Sequence, residues 1–386
     1  MSLRPLEGLK VLEFGHVVAG PFAGMLLADL GADVVKVEPP NGDQLRGWPP
    51  FKTLSDGSEF SLSFTSVNRG KRSICADLHV EEDRRKILSL ACRSDVILEN
   101  YRPGVLKKFG LDFSEVSRQH VAHLVFCSVS GYGQNNAYAG RGAYDVVIQG
   151  ESGLMSVTGR ESETPVKCGV AVGDFTAGLF AVVSILAALE TRRREIRSVY
   201  VDCSMLASLI SISALQTAQY WGTGDSPSRL GSAHPLNAPY QAFQASDRPF
   251  VIAAGNDSMW RAVALCVSRE DLLEDTRFAD QTARVANQRE LALELQREFR
   301  TRTAKDWLAK LGVLGVPSGP VNTYSDVLGD PRLESLNLIG TVGLPDGERT
   351  QAVQFPVSMS GVPLDCSLGP PALGADEDEV YRDWLP

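Results

Sequence analysis

The chain has 386 residues, 44% of them hydrophobic and 22% charged, and a formal net charge of −9. That length suits one large domain with a smaller companion, and that composition suits an ordinary globular protein. The acidic surplus argues against a nucleic-acid binder, which needs clustered Lys and Arg, but leaves room for a locally basic pocket that takes a small anion.

The opening stretch MSLRPLEGLKVLEF has no apolar signal-peptide core, so a cytoplasmic location is expected. The strand-like run LKVLEF (9–14) precedes the helical pattern PFAGMLLADLG, and DVVKVE (33–38) follows. RSICADL (72–78) leads into the helical EEDRRKILSLACRS, then DVILEN (95–100) and HLVFCSV (123–129). Apolar strands alternating with helices predict βαβ units: an α/β fold around a doubly wound parallel sheet covered on both faces. Ligands of such sheets lie beyond the strand C-termini, which directs attention to His16–Pro21, Asn100–Arg102 and the SGYGQ turn. A long helix is predicted over 174–191, followed by VYVDCS and the helical MLASLISISALQTAQYW. The longest apolar run, Ala177 to Leu189, is too short to span a bilayer, and no membrane partner is expected. From about Pro227 the texture changes to turns, short strands and helices. The predicted domains are a large one over 1–224, a small α+β one over 225–320, and a return to the first over 321–386.

Several chemistries lack their signatures. FGHVVAGPFAG after the first strand is not GxGxxG, there is no GxxxxGK[ST], and VSGYG puts Ser130 in the wrong place for a nucleophile elbow. The seven cysteines are odd in number with no CxxC, which reads as reduced thiols rather than disulfides or a zinc site. His120 and His123 form an HxxH without a third ligand nearby, so no metal is expected. What remains is GVAVGDFTAG, where Asp174 opens an apolar helix. An Asp there can simply cap the helix. It can also be a nucleophile kept ionised by the helix N-terminus, with glycines admitting a substrate. The two readings are compatible, because a capping Asp has a low pKa.

VAVGDFTAG resembles the nucleophile segment of the family III CoA-transferases. HVVAGPFAGMLLADLGADVVKVEPPNGDQLR, VNRGKRSICADL, VILENYRPGVLKKFGLD, SGYGQ with GAYDVVIQGESGLMSVTG, LGSAHPLNAPYQAF and GVPSGPVNTYSDVLGDP are similar to further family segments, in the family's order. The resemblance implies a large Rossmann-like domain, a small domain and an interlocked homodimer. It implies transfer of CoA from an acyl-CoA to a free acid through an aspartyl thioester on Asp174. Acyl-CoA donor and carboxylate acceptor are then partners in turnover, with no tightly bound cofactor. Carried over position by position, it implies CoA contacts at Val17 and Val18, from Ala76 to His79, at Asn100, Tyr101 and Arg102, at Lys108 against phosphate, and at Gly142, Ala143, Tyr144 and Asp145. Core packing is an alternative for Tyr101 and Tyr144, a strand cap for Arg102, and a solvated helix face for Lys107 and Lys108. The layout looks closer to the succinyl-CoA and dicarboxylate transferases than to the oxalate branch, which has Gln at the position of Val18 and glycines at AAGND (253–257). Arg46, Arg69 and Arg72 are candidates for an acceptor's second carboxylate, with solvated surface as the alternative. The rival readings are an α-methylacyl-CoA racemase, a non-catalytic CoA-binding protein and a plain NAD-dependent Rossmann enzyme.

Overall fold

The computed structural model describes residues 3–120, 123–364 and 366–385. Six short apolar runs pair in parallel: β1 (Lys10–Phe14), β2 (Asp33–Glu38), β3 (Arg72–Cys75), β4 (Val96–Glu99), β5 (Val125–Ser130) and β6 (Val199–Ser204). Their spatial order is β3-β2-β1-β4-β5-β6, the order of a doubly wound dinucleotide-type sheet with its switch point between β1 and β4. Both faces are dry. On one, Val11, Val34, Val96 and Val125 meet the helices α1 (Ala19–Asp29), α4 (Val172–Glu195) and α5 (Met205–Ile212). On the other, Leu12, Val35, Ile97 and Phe126 meet α2 (Glu81–Ala91) and the C-terminal helix Glu377–Trp384. A further short helix, α3 (Asp145–Glu151), lies after β5.

The helix α4 is the longest element, at 24 residues. It starts before the predicted 174 and ends after the predicted 191, which makes it longer than its apolar run. By length and composition alone it could cross a membrane. In this fold Gly173, Thr176, Ala177, Ala181, Ile185 and Ala188 form a stripe at helical spacing buried against the sheet. Gly178 brings α4 against α1: a Cβ there would sit 3.0 Å from the carbonyl oxygen of Ala19 and 2.9 Å from the Phe22 ring. Leu179, Phe180, Val183 and Leu186 are exposed on the same helix.

The chain divides into two compact units, one of 1–154, 167–224 and 331–386, the other of 155–166 and 225–330. In the second, antiparallel strands Tyr240–Gln244, Pro249–Ala253 and Ser318–Pro320 pack on helices Asp257–Cys266, Gln288–Phe299 and Ala304–Val313 around Phe250, Trp260, Phe299 and Trp307. The stretch 155–166 sits inside the predicted large domain in sequence but joins the second unit. Gly231 N–H donates to the Gly159 carbonyl at 2.9 Å, and the Arg229 guanidinium donates to the carbonyls of Arg160, Glu161 and Glu163. The stretch 321–330 stays with the second unit through Val321 N–H to Pro249 O and the Arg248–Asp326 pair. Such long-range bonds leave no local trace in composition.

Candidate active site

At the switch point the loop after β1 and the loop after β4 are clamped together by one side chain. Asn100 accepts from His16 N–H at 2.8 Å and donates to the His16 carbonyl at 3.0 Å. The Tyr101 ring stacks on the His16 ring, centroids 5.2 Å apart, and Tyr101 N–H donates to buried Glu99 at 2.8 Å. Val17 is held at φ +60°, a left-handed conformation that a β-branched residue rarely adopts.

The helix α4 delivers Asp174 to this point from the opposite side. Its N-cap is Ala171, which makes Asp174 the third residue of the helix. The expected capping role falls instead to Asp145, which accepts from Gly173 N–H at 2.8 Å. Asp145 is fixed in turn by fully buried Gln149, which donates to it at 2.7 Å and accepts from Cys168 N–H at 2.8 Å. The Asp174 carboxylate makes no hydrogen bond or ion pair to any described residue. Burial, and secondly the charge of Asp145, push its pKa up to about 7. The expected low pKa is therefore corrected. The helix N-terminus favours an anion, but Asp145 already occupies that end, and desolvation acts on Asp174 without a compensating donor.

Asp174 lines a cavity of about 140 Å³ together with Val17, Val18, Asn100, Tyr101, Arg102, Ala143 and Tyr144. Ala76 and His79 lie elsewhere, in a second cavity of about 260 Å³ with Phe14, Val37, Leu78 and Phe109. Tyr101 lines both, so its ring is a shared wall. Lys108, Gly142 and Asp145 line neither of these two. Lys108 is exposed on the short helix Val105–Lys108, and a Cβ at Gly142 would stand 3.0 Å from Arg102 Nη2.

The description CoA-transferase family III matches residues 6–377. The chain belongs to that family. It is a CoA-transferase, as relatives across the family are named. It is 36% identical over 382 residues to the succinate–glutarate CoA-transferase of Agrobacterium fabrum, covering 98% of this chain and 95% of that one. It is 34% identical over 362 residues to the acetyl-CoA:oxalate CoA-transferase of Acetobacter aceti, covering 92% and 90%. The crystal structure of a CaiB/BaiF family protein from Brucella suis superposes with a TM-score of 0.89 at 37% identity, over 98% and 99% of the two chains.

In this family III chain the three arginines proposed for the acceptor are committed elsewhere. Arg46 forks onto Glu38 with two 2.7 Å bonds, Arg69 pairs with Asp29 at 2.5 Å, and Arg72 pairs with Asp33 and Asp383. They are neither solvated surface nor free cations. Arg46 and Arg69 neutralise the buried carboxylates of Glu38 and Asp29, whereas Arg72 bridges the part-exposed Asp33 and Asp383. The cations that do line the Asp174 cavity are Arg102 and Arg141. Arg102 has no side-chain partner among the described residues. Arg141 bonds Glu151 at 2.7 Å and lies over the rings of Tyr132 and Tyr138. Sequence reading passed over Arg141, which carries no motif. It also passed over Glu13 and Lys36, although a charge inside a strand buried on both faces was a readable signal.

Proposed function

We propose that the chain transfers CoA from an acyl-CoA, succinyl-CoA or one like it, to a free dicarboxylic acid through an aspartyl-CoA thioester on Asp174. The observation that carries this reading is the Asp174 carboxylate, unpaired among the described residues, at the head of α4 and in a cavity at the sheet's switch point. A carboxylate bonded to a cation would be a weak nucleophile; this one is desolvated and free to attack. Its oxygen adds to the donor's thioester carbon, the C–S bond breaks, and an acyl-aspartyl anhydride forms with release of CoA thiolate. The thiolate attacks the Asp174 carbonyl carbon, expels the donor acid and leaves aspartyl-CoA. The acceptor carboxylate then repeats the two steps in reverse order, so the thioester's free energy is kept and Asp174 is restored.

The surroundings suit that sequence. Helix α1 begins at Ala19 with no side-chain cap among the described residues, which leaves the Ala19 and Gly20 N–H groups available to developing negative charge beside the cavity. The apolar second cavity beyond Tyr101 suits the adenine end of CoA, with Lys108 close by in sequence for phosphate. Arg141, which lines the cavity and holds Glu151 at 2.7 Å, suits an acceptor's second carboxylate that takes the place of Glu151. The acetyl-CoA:oxalate relative leaves the acceptor's length open, although both relatives' names contain a dicarboxylate. A homodimer is part of the reading: exposed Leu179, Phe180, Val183 and Leu186 on α4, with Leu215 and Trp221 beyond, are a large apolar surface for a lone chain. Light scattering should give twice the 41.8 kDa chain mass; a monomer would count against it.

The deciding experiment incubates the protein with succinyl-CoA and glutarate, malate, mesaconate, itaconate, carnitine or oxalate, then records intact mass and CoA esters. Transfer with a hydroxylamine-sensitive CoA adduct absent from Asp174→Ala supports the reading and names the acceptor. His16 shares the cavity with Asp174, which keeps a second reading in view: an acid–base pair across an α-carbon, as a racemase needs. Exchange of the α-proton of a 2-methylacyl-CoA without CoA transfer would favour it.

A further inference from the structure

Beneath the loop after β1 lie four charged side chains out of contact with water. Glu13, Lys36 and Lys71 side chains are 0% exposed and that of Asp43 is 1%. Lys36 Nζ stands 3.1 Å from Glu13 Oε1 and 2.9 Å from Asp43 Oδ2, and Lys71 Nζ stands 2.8 Å from Glu13 Oε2. Gly24 of α1 makes the room, because a Cβ there would collide with Glu13 Oε2. Each buried ion loses several kcal/mol of hydration, and apolar side chains of equal volume often stabilise a core as well or better. Stability is therefore a weak reason for the cluster.

Its remaining bonds point to a different one, because they converge on the backbone of residues 15–21. Lys36 donates to the Gly15 carbonyl at 2.6 Å, Asp43 accepts from Val17 N–H at 3.2 Å, and Lys71 donates to the Pro21 carbonyl at 2.8 Å. Asp43 is itself fixed by Leu45 N–H at 2.9 Å, and its own N–H donates to Glu38, which holds Arg46. Between the bonded groups sits Val17 at φ +60°, a conformation that persists only where its surroundings over-determine it. Burial works against the Lys36 ammonium, but Glu13, Asp43 and Glu38 outweigh it and raise its pKa. For Lys71 burial prevails, and its pKa falls to about 8. Lys36 thus keeps its charge at a pH where Lys71 begins to lose its own.

We propose that Asp43 and Lys36 are positioning residues that hold Gly15–Val18 in the strained form presented to acyl-CoA. The inference rests on reading the Asp174 cavity as the CoA site. The two residues touch no substrate. They act through the Val17 and Gly15 backbone, where a misplacement of about 1 Å costs on the order of 100-fold in rate.

The test measures CoA affinity by calorimetry, acyl-CoA KM, kcat and Tm for the wild type, Asp43→Asn, Asp43→Ala and Asp43→Ala with Val17→Gly. Asp29→Asn serves as the comparator, since it breaks another buried ion pair, with Arg69, away from the cavity lining. The expected result is a rise of about 10- to 100-fold in CoA Kd and acyl-CoA KM for Asp43→Ala, a smaller rise for Asp43→Asn, and only a lower Tm for Asp29→Asn. Val17→Gly should recover part of the affinity in the Asp43→Ala background, because glycine enters left-handed φ without strain. If the Asp43 variants lose Tm as Asp29→Asn does while Kd and KM stay within about two-fold of wild type, the proposal is overturned and the transferase reading stands. Wild-type protein that binds no CoA would sink both.

Discussion

Asp174 is suited to the proposed chemistry by what does not touch it among the described residues. Its pKa near 7 comes first from burial and then from Asp145, so the attacking anion forms only as pH rises through that value. The rate kcat/KM should therefore climb with pH to a plateau, with an apparent pKa near 7; a flat profile between pH 5 and 8 would contradict the assignment. The same shift has a stability consequence of definite sign. A folded-state pKa above the unfolded one means the folded state holds the proton longer, so stability falls as pH rises from about 4 toward 7. Asp174→Asn, which cannot ionise, escapes that fall: its Tm advantage over wild type should be larger at pH 8 than at pH 5 in paired thermal melts. Arg141 tests the acceptor. Arg141→Gln should raise the dicarboxylate KM about 10- to 100-fold, the value of one charge-assisted bond or two, with CoA affinity unchanged by calorimetry. Equal losses for a monocarboxylic acceptor would mean that Arg141 does not read the second carboxylate.

At the level of elements, the site is made where secondary structures begin and end. The sheet's switch point brings the β1 and β4 loops together, and Asn100 locks them. The head of α4 is fixed by α3, through Asp145 on the Gly173 N–H. Two effects of Asp145 can be separated. Asp145→Asn keeps an oxygen for the cap but removes the charge and sets its amide N–H against the Gln149 donor, so the pH limb of kcat/KM should shift below 7 with a modest fall in Tm. Asp145→Ala removes the cap as well and should lower stability by about 1 kcal/mol in denaturant titration. An unmoved limb in both variants would leave burial alone as the cause of the Asp174 shift.

For the whole molecule, the C-terminus is part of the sheet domain's construction. Trp384 is fully buried and donates to Asp33 at 2.8 Å, Arg72 bridges Asp33 and Asp383, and Ser73 N–H donates to Asp376. Trp384→Ala should cost about 3–5 kcal/mol by the loss of its packing, seen as an earlier urea midpoint. A loss below about 1 kcal/mol would mean that the helix contributes little to the domain.

The amino-acid sequence alone specifies a parallel sheet, because strands buried on both faces need apolar centres, and the runs at 9–14, 33–38 and 95–100 are apolar at half their positions or more between alternating helical patterns. It determined the family, because seven segments in order carry it. It singled out Asp174, an acid at the head of an apolar helix. It took the tertiary structure to show that Asp145 caps that helix, that burial lifts the Asp174 pKa toward neutrality, that Arg46 and Arg69 are spent on buried carboxylates and Arg72 on Asp33 and Asp383, and that Arg102 and Arg141 line the cavity. It also decided that 155–166 joins the second unit and that Asp43 and Lys36 hold the loop at Val17. The reason is common to all of these. Apolar periodicity is written locally in the chain, whereas a charge's pKa and role depend on which distant carboxylate, guanidinium or backbone group the fold sets beside it and on how much water it leaves there.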